Sequence, residues 1–166
     1  MSFHGVDYFG IADLLTEEER LVQATFRRFV DDELLPVIGR HFRDGTFDPS
    51  WPRRLGALGA LGASLSGYGC AGLGPVAYGL IMQELERGDS GVRSFASVQG
   101  ALVMYPIYSY GSDEQKERWL PAMARGEAIG CFGLTEPDFG SNPGGMRLTA
   151  RAHGDEYVLN GEKRWI

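Results

Sequence analysis

Phe132-Gly133-Leu134-Thr135-Glu136-Pro137-Asp138-Phe139-Gly140-Ser141 stands where the chain changes character. Before it, apolar residues recur at helical spacing; after it, the pattern becomes short and alternating. A segment that ends in Thr-Glu-Pro and turns through Gly-Ser sets backbone amides and two hydroxyls, those of Thr135 and Ser141, at one spot. From these residues alone two readings stand: a bed for a ligand, or a turn in which Thr135 and Ser141 bond their own backbone.

Upstream the pattern is helical. Thr16-Glu17-Glu18-Glu19 is a capping box, continued by Leu21, Phe26, Phe29 and Val30. Pro36 lacks the amide that a helix interior needs, which predicts a break or kink near Leu35 and a tail and loop over 40–45. Asp48-Pro49-Ser50-Trp51 offers a cap for a weaker helix over 51–61, with leucines at 55, 58 and 61. Gly67-Tyr68-Gly69-Cys70-Ala71-Gly72 fits G-x-G-x-x-G, the spacing that lets a backbone approach a pyrophosphate. The segment before it looks helical, and the acids some twenty positions on, Glu84, Glu86 and Asp89, belong to the next helix. That context favours a glycine-rich loop entering a helix over a dinucleotide site. Residues 75–87 read as a core helix, residues 95–110 repeat the pattern with Pro106 bending or ending it, and Ser112-Asp113-Glu114-Gln115 opens a helix that ends at Gly126.

Downstream the period is that of strands. Residues 128–135 form a short apolar run, 147–152 alternate, and 156–159 precede Asn160-Gly161, a two-residue hairpin signal. The expected architecture is α+β: an all-helical domain over 1–127, then the first strands of an antiparallel β domain over 128–166. That second domain reads as incomplete, with Trp165-Ile166 inside a strand.

Composition narrows the function. With 43% hydrophobic residues among 166 the chain can bury a sizeable core, and a net charge of -6 is the wrong sign for a protein that neutralises nucleic-acid phosphates. Cys70 and Cys131 lack C-x-x-C spacing, and His4, His41 and His153 are scattered, so no metal site is assigned. The amino terminus has neither a basic nor an apolar signal region, and no apolar run nears the ~18 residues of a membrane span, so a cytoplasmic location is expected.

The stretch 132–141 resembles the flavin-binding segment of acyl-CoA dehydrogenases: an aromatic or Cys, then L-T-E-P-x-x-G-S-D. The second part of that signature, W-I-T, begins here as Trp165-Ile166. The resemblance runs from about residue 14 onward, and the helical part is most similar to glutaryl-CoA dehydrogenases. It is carried there by residues 67–72, Glu84-Leu85-Glu86-Arg87, Ser90-Gly91-Val92-Arg93-Ser94, Ser97-Val98-Gln99 and Pro106-Ile107-Tyr108. Asn142 departs from it, standing where the family usually has Asp.

The resemblance implies FAD as cofactor and oxidation of an acyl-CoA, with glutaryl-CoA giving crotonyl-CoA and carbon dioxide. It implies flavin contacts from Phe132, Gly133, Leu134, Thr135, Glu136, Pro137, Asp138, Phe139, Gly140, Ser141, Trp165 and Ile166, with Thr135 and the loop amides as donors and Trp165 stacked over the isoalloxazine. Ser141 would lie between flavin phosphate and thioester, and Arg93 with Ser94 would hold the distal carboxylate of the substrate. It also implies a homotetramer, an electron-accepting flavoprotein as partner, and a catalytic glutamate from a carboxy-terminal helical bundle that has no counterpart in these 166 residues. The residues alone are therefore expected to fold in part and to be inactive. Three alternatives stay open: Trp165 as an aromatic in a sheet core, Arg93 as a surface ion pair with Arg87 and Asp89 nearby, and a different activity altogether. The last is either a short-chain or branched acyl-CoA dehydrogenase without decarboxylation, or a non-catalytic helical binding module.

Overall fold

The computed structural model describes residues 7–166; the amino-terminal segment bearing His4 lies outside them. The chain divides into two units, one up to Gly130 and one from Cys131 to Ile166.

In the first unit, helix α1 (Glu17–Phe29) opens on the expected box. The Thr16 hydroxyl accepts the Glu19 amide at 3.3 Å, and the Glu19 carboxylate accepts that of Thr16 at 2.8 Å. Of the break or kink expected near Leu35, the break does not occur. The helix widens through one π turn (Val30–Leu34), in which the Leu35 amide reaches back to the Val30 carbonyl, and continues as α2 (Leu35–Asp44). Proline harms a helix by lacking a donor and by pressing its ring on the carbonyl four residues back; the wider turn moves that carbonyl away. Residues 40–44 are accordingly helical, and Gly45, in the left-handed conformation at φ 61°, closes the helix.

Helix α3 (Trp51–Ala57) is shorter than the leucine spacing suggests, because the Ala60 amide bonds the Leu55 carbonyl at 2.9 Å and ends it. Residues 58–74 are irregular, not helical, and lead through the glycine-rich loop into α4 (Pro75–Gly88). Asp89 then caps α5 (Ser90–Ser97), accepting the Val92 amide at 2.8 Å. A second π turn (Val98–Met104) precedes α6 (Tyr105–Tyr110), so Pro106 follows a widened turn as Pro36 does. Helix α7 (Asp113–Ala124) carries the Ser112 box and runs through Pro121.

Helix α4 packs against α1 and α5. Phe26, Phe29, Val30 and Leu34 meet Ile81 and Leu85, and the same core takes in Trp51, Leu55, Val92, Ala96, Met104, Leu120 and Met123. No described helix is long and apolar enough to cross a membrane.

The second unit holds β1 (Thr149–His153) and β2 (Glu156–Asn160), antiparallel, in register from Thr149 opposite Asn160 to His153 opposite Glu156. The hairpin turn is therefore Gly154-Asp155, with Gly154 at φ 61°, while Asn160-Gly161 ends β2. Both positions carry turn residues, and the cross-strand pairing chooses between them. Residues 131–135 and Trp165-Ile166 are not strands, and neither are 128–130 in the first unit. A strand exists only where a neighbouring strand takes its backbone hydrogen bonds in a ladder, and among the described residues these segments make isolated bonds without one.

Candidate functional site

Within the second unit, two segments far apart in sequence lie side by side. The Arg164 amide donates to the Thr135 carbonyl at 2.8 Å. The Lys163 ammonium donates to the Leu134 carbonyl at 2.9 Å and to the Glu136 carboxylate at 3.1 Å. Glu136 is only 5% exposed, and its carboxylate also accepts the amides of Arg147 at 2.7 Å and Leu148 at 2.9 Å. Those two amides, supported by Lys163, hold the Glu136 carboxyl below its usual value of 4.5. The Glu-Pro-Asp-Phe turn is closed by reciprocal backbone bonds of 3.1 Å between Glu136 and Phe139.

What the clasp leaves open is as informative. Among the described residues, no acceptor meets the amides of Phe132, Gly133, Leu134 and Thr135, and no partner meets the hydroxyls of Thr135 and Ser141. The self-bonded turn is thus not formed. Trp165 is 83% exposed at φ 62°, with the Arg164 guanidinium 4.8 Å from its ring centroid. Consecutive free amides beside an open indole fit a flat heterocycle with polar edges, as a flavin has. Ile166 is exposed next to the indole, and Pro137, Asp138, Phe139 and Gly140 form the turn beyond Glu136. The Asn142 carbonyl accepts the Gly145 amide at 3.1 Å, a backbone role that the change from Asp leaves intact.

In the helical unit, the Arg93 guanidinium bonds the Glu86 carboxylate at 2.6 Å and approaches the Ser97 hydroxyl at 3.4 Å. Its partner is neither Arg87, which pairs with Asp31 and Glu84, nor Asp89, which caps α5. The Ser90 hydroxyl, at 2.7 Å, and Arg93 hold the Glu86 carboxyl below its usual value. Ser94, one residue on, lines a cavity of about 440 Å³ with Phe47, Phe95, Val98 and Ile129; Arg93 does not line it.

Two polar residues of this unit escaped the functional reading of the sequence. Glu84, 1% exposed, takes Arg27 at 2.7 Å and Arg87 at 2.9 Å, so it is a fully paired carboxylate. Gln99, also 1% exposed, donates to the Ala128 carbonyl at 2.7 Å and accepts the Gly130 amide at 3.0 Å. Gln99 lies inside a stretch that reads as apolar helix, where an isolated polar residue is the signal, whereas Glu84 stands at the polar end of α4 beside Gln83, Glu86 and Arg87, where nothing local sets it apart.

Residues 16–127 match the family described as acyl-CoA dehydrogenase, N-terminal domain, and the chain belongs to the acyl-CoA dehydrogenase family. A glutaryl-CoA dehydrogenase from Mycobacterium smegmatis, solved in complex with FADH2, shares 55% identity at a TM-score of 0.91, over 95% of this chain and 41% of that one. The human mitochondrial short-chain specific acyl-CoA dehydrogenase is 38% identical over 92% of this chain and 37% of its own length. An acyl-CoA dehydrogenase from Bacillus anthracis complexed with FAD is 33% identical at a TM-score of 0.84, over 96% of this chain and 29% of that one. The chain thus spans about two fifths of the length of the first two relatives. FAD is the cofactor of the family.

Proposed function

We propose that the protein is an FAD-dependent acyl-CoA dehydrogenase acting on glutaryl-CoA, with oxidation followed by loss of carbon dioxide to give crotonyl-CoA. The observation that carries the flavin part is the fastening of residues 134–136 to Lys163 and Arg164, which sets four free amides beside Trp165. FAD, when bound, supplies the two-electron acceptor. The chain's own residues do the rest of what is assigned here. The amides of Phe132, Gly133, Leu134 and Thr135 and the Thr135 hydroxyl donate to the electron-rich edge of the ring, the Trp165 indole covers a face, and Ser141 stands toward the phosphate and thioester. Glu136 acts from behind this surface, through the backbone it holds.

Glutarate as substrate is supported by the 55% identity to the mycobacterial glutaryl-CoA dehydrogenase and by Arg93, whose planar fork matches a carboxylate bidentately. Beside it, Ser94 opens on an apolar cavity suited to an acyl chain. Glu84, Glu86 and Glu136 are each engaged by a cation, so none of them serves as the base for the α-proton. The acceptor of the electrons is a second flavoprotein, and the assembly is a homotetramer.

A second reading has an observation in its favour: Glu86 already neutralises Arg93, which suits a monocarboxylic chain and an enzyme like the short-chain relative. Specificity decides. In the full-length protein, Arg93→Ala should lower kcat/KM for glutaryl-CoA far more than for butyryl-CoA, and equal losses on both would remove the case for glutarate. The flavin assignment is tested separately by changing Thr135 and Ser141 together to Ala; unaltered FAD affinity and reduction rate would refute it.

A further inference from the structure

The Lys163 side chain reaches both sides of Thr135: its ammonium donates to the Leu134 carbonyl at 2.9 Å and to the Glu136 carboxylate at 3.1 Å, with the Met146 sulfur at 3.3 Å. The Thr135 carbonyl itself takes the Arg164 amide. Three consecutive residues on one segment are thereby tied to two on the other, immediately before Trp165. The Glu136 carboxylate carries the tie onward to the amides of Arg147 and Leu148, where β1 is about to begin. Strand β1 pairs with β2, and β2 ends three residues before Lys163. The constraints close on themselves, from 134–136 to 147–148, through the hairpin to 163, and back.

We infer that Lys163 and Glu136 are positioning residues for the flavin, which set the offset between the free amides of 132–135 and the Trp165 indole without touching the ring. The inference rests on the flavin reading given above. Its chemical logic is that of a buried ion pair with every donor and acceptor engaged. Lys163 is 22% exposed on its side chain and Glu136 5%, so water competes weakly, and the ammonium supplies as many donors as it has partners. The pair holds backbone, not substrate, and this separates it from the Thr135 and Ser141 hydroxyls, which have no partner among the described residues. Met in place of Lys keeps the aliphatic stem, which lies 3.9 Å from the space beside the Gly133 Cα, while removing every donor.

The experiment compares wild type, Lys163→Met and Lys163→Arg in the full-length protein, first without flavin and then titrated with FAD. Without flavin, hydrogen exchange at the amides of Arg164, Arg147 and Leu148 should quicken about tenfold in the Met variant and stay near wild type in the Arg variant, which retains charge and donors. With FAD, the Met variant should bind about tenfold more weakly, and the Arg variant should recover most of that loss. The visible spectrum of bound FAD should shift in the Met variant, because the indole no longer lies at the same offset from the ring. Unchanged exchange in the Met variant would show that no clasp operates. Faster exchange with unchanged FAD affinity and spectrum would show a clasp that is structural alone. Failure of the wild type to bind FAD would overturn the flavin reading itself, and is seen before any variant is compared.

Discussion

Replacing Gln99 by Leu tests how the chain is fastened where it leaves the helices. The side chain is 1% exposed and makes two good hydrogen bonds, 2.7 Å to the Ala128 carbonyl and 3.0 Å from the Gly130 amide, with a weak third to the Met123 carbonyl at 3.4 Å. Met123 keeps another partner, since its carbonyl also accepts the Gly126 amide at 3.0 Å. Leu nearly matches Gln in volume, so little cavity is left, and the loss is confined to two unsatisfied backbone groups. Ala128 and Gly130 are half-buried, and water reaches them in part, so each group costs about 1 kcal/mol and the variant loses about 2 kcal/mol. For a unit of this size that corresponds to a fall in Tm of roughly 10 °C. Gln99→Glu should be worse, although it conserves shape, because it turns a carboxylate oxygen on the Ala128 carbonyl in a buried site. Urea denaturation followed by circular dichroism reads both, with an unchanged slope confirming that the native state is what lost stability. A Leu variant as stable as wild type, or a Glu variant milder than the Leu variant, would refute the role given to Gln99.

Arg27→Met should cost about 2 kcal/mol or more, because it leaves the buried Glu84 carboxylate with Arg87 alone, and it should cost more than Glu84→Met, whose two arginines can reach water and Asp31; thermal unfolding of the pair ranks them. Gly56→Ala should destabilise by about 1–3 kcal/mol, although alanine favours helix, since its Cβ would stand 2.6–2.8 Å from backbone atoms of Ala124 and Arg125 that cannot swing aside. A gain in stability from that change would show that α3 and the end of α7 are less tightly apposed. The clasp should also be sensitive to acid. Glu136 titrates lower when folded than unfolded, so its contribution is complete above 4.5 and is lost as pH falls through its depressed value. Exchange at the Arg147 and Leu148 amides, corrected for intrinsic rate, should quicken in that window and not between neutrality and pH 5.

The two capping boxes were legible because each needs only four residues and no tertiary partner: Thr16 with Glu19, and Ser112 with Gln115, form as read. What the sequence hid was decided by distant groups. Pro36 and Pro106 read as interruptions because proline rules assume an α pitch, and nothing local announces a wider turn. Asn160-Gly161 outranks Gly154-Asp155 as a hairpin signal, yet the pairing of Thr149 with Asn160 places the turn at the weaker pair. The apolar run over 128–135 has strand composition without a strand neighbour. Thr135, Ser141 and Trp165 are proposed from the motif, and the backbone bond from Arg164 to Thr135 brings the two parts of that motif together. Nothing local marks Lys163, since its three partners lie 17 to 29 positions away. Arg93 is named by the resemblance, and its pairing with Glu86, one helix earlier, follows from packing and not from any spacing rule.

The widened turns at Val30–Leu34 and Val98–Met104 also bear on how such chains diverge. Each is what a helix becomes when one amino acid is inserted into it and the extra residue is absorbed as a bulge instead of being expelled as a loop. In an unwidened helix the insertion would turn every later side chain through about 100°, the angular step of one residue; the wider turn takes up the extra residue, so the faces before and after it stay roughly in line. A cousin with a plain helix at either place reaches the same end point with one codon fewer, and its proline, if present, falls where a kink is unavoidable. Single-residue gaps inside the helices, which alignment scoring discourages, are therefore natural at these two places, and a one-codon deletion there must be accompanied by loss of Pro36 or Pro106 to leave a continuous helix.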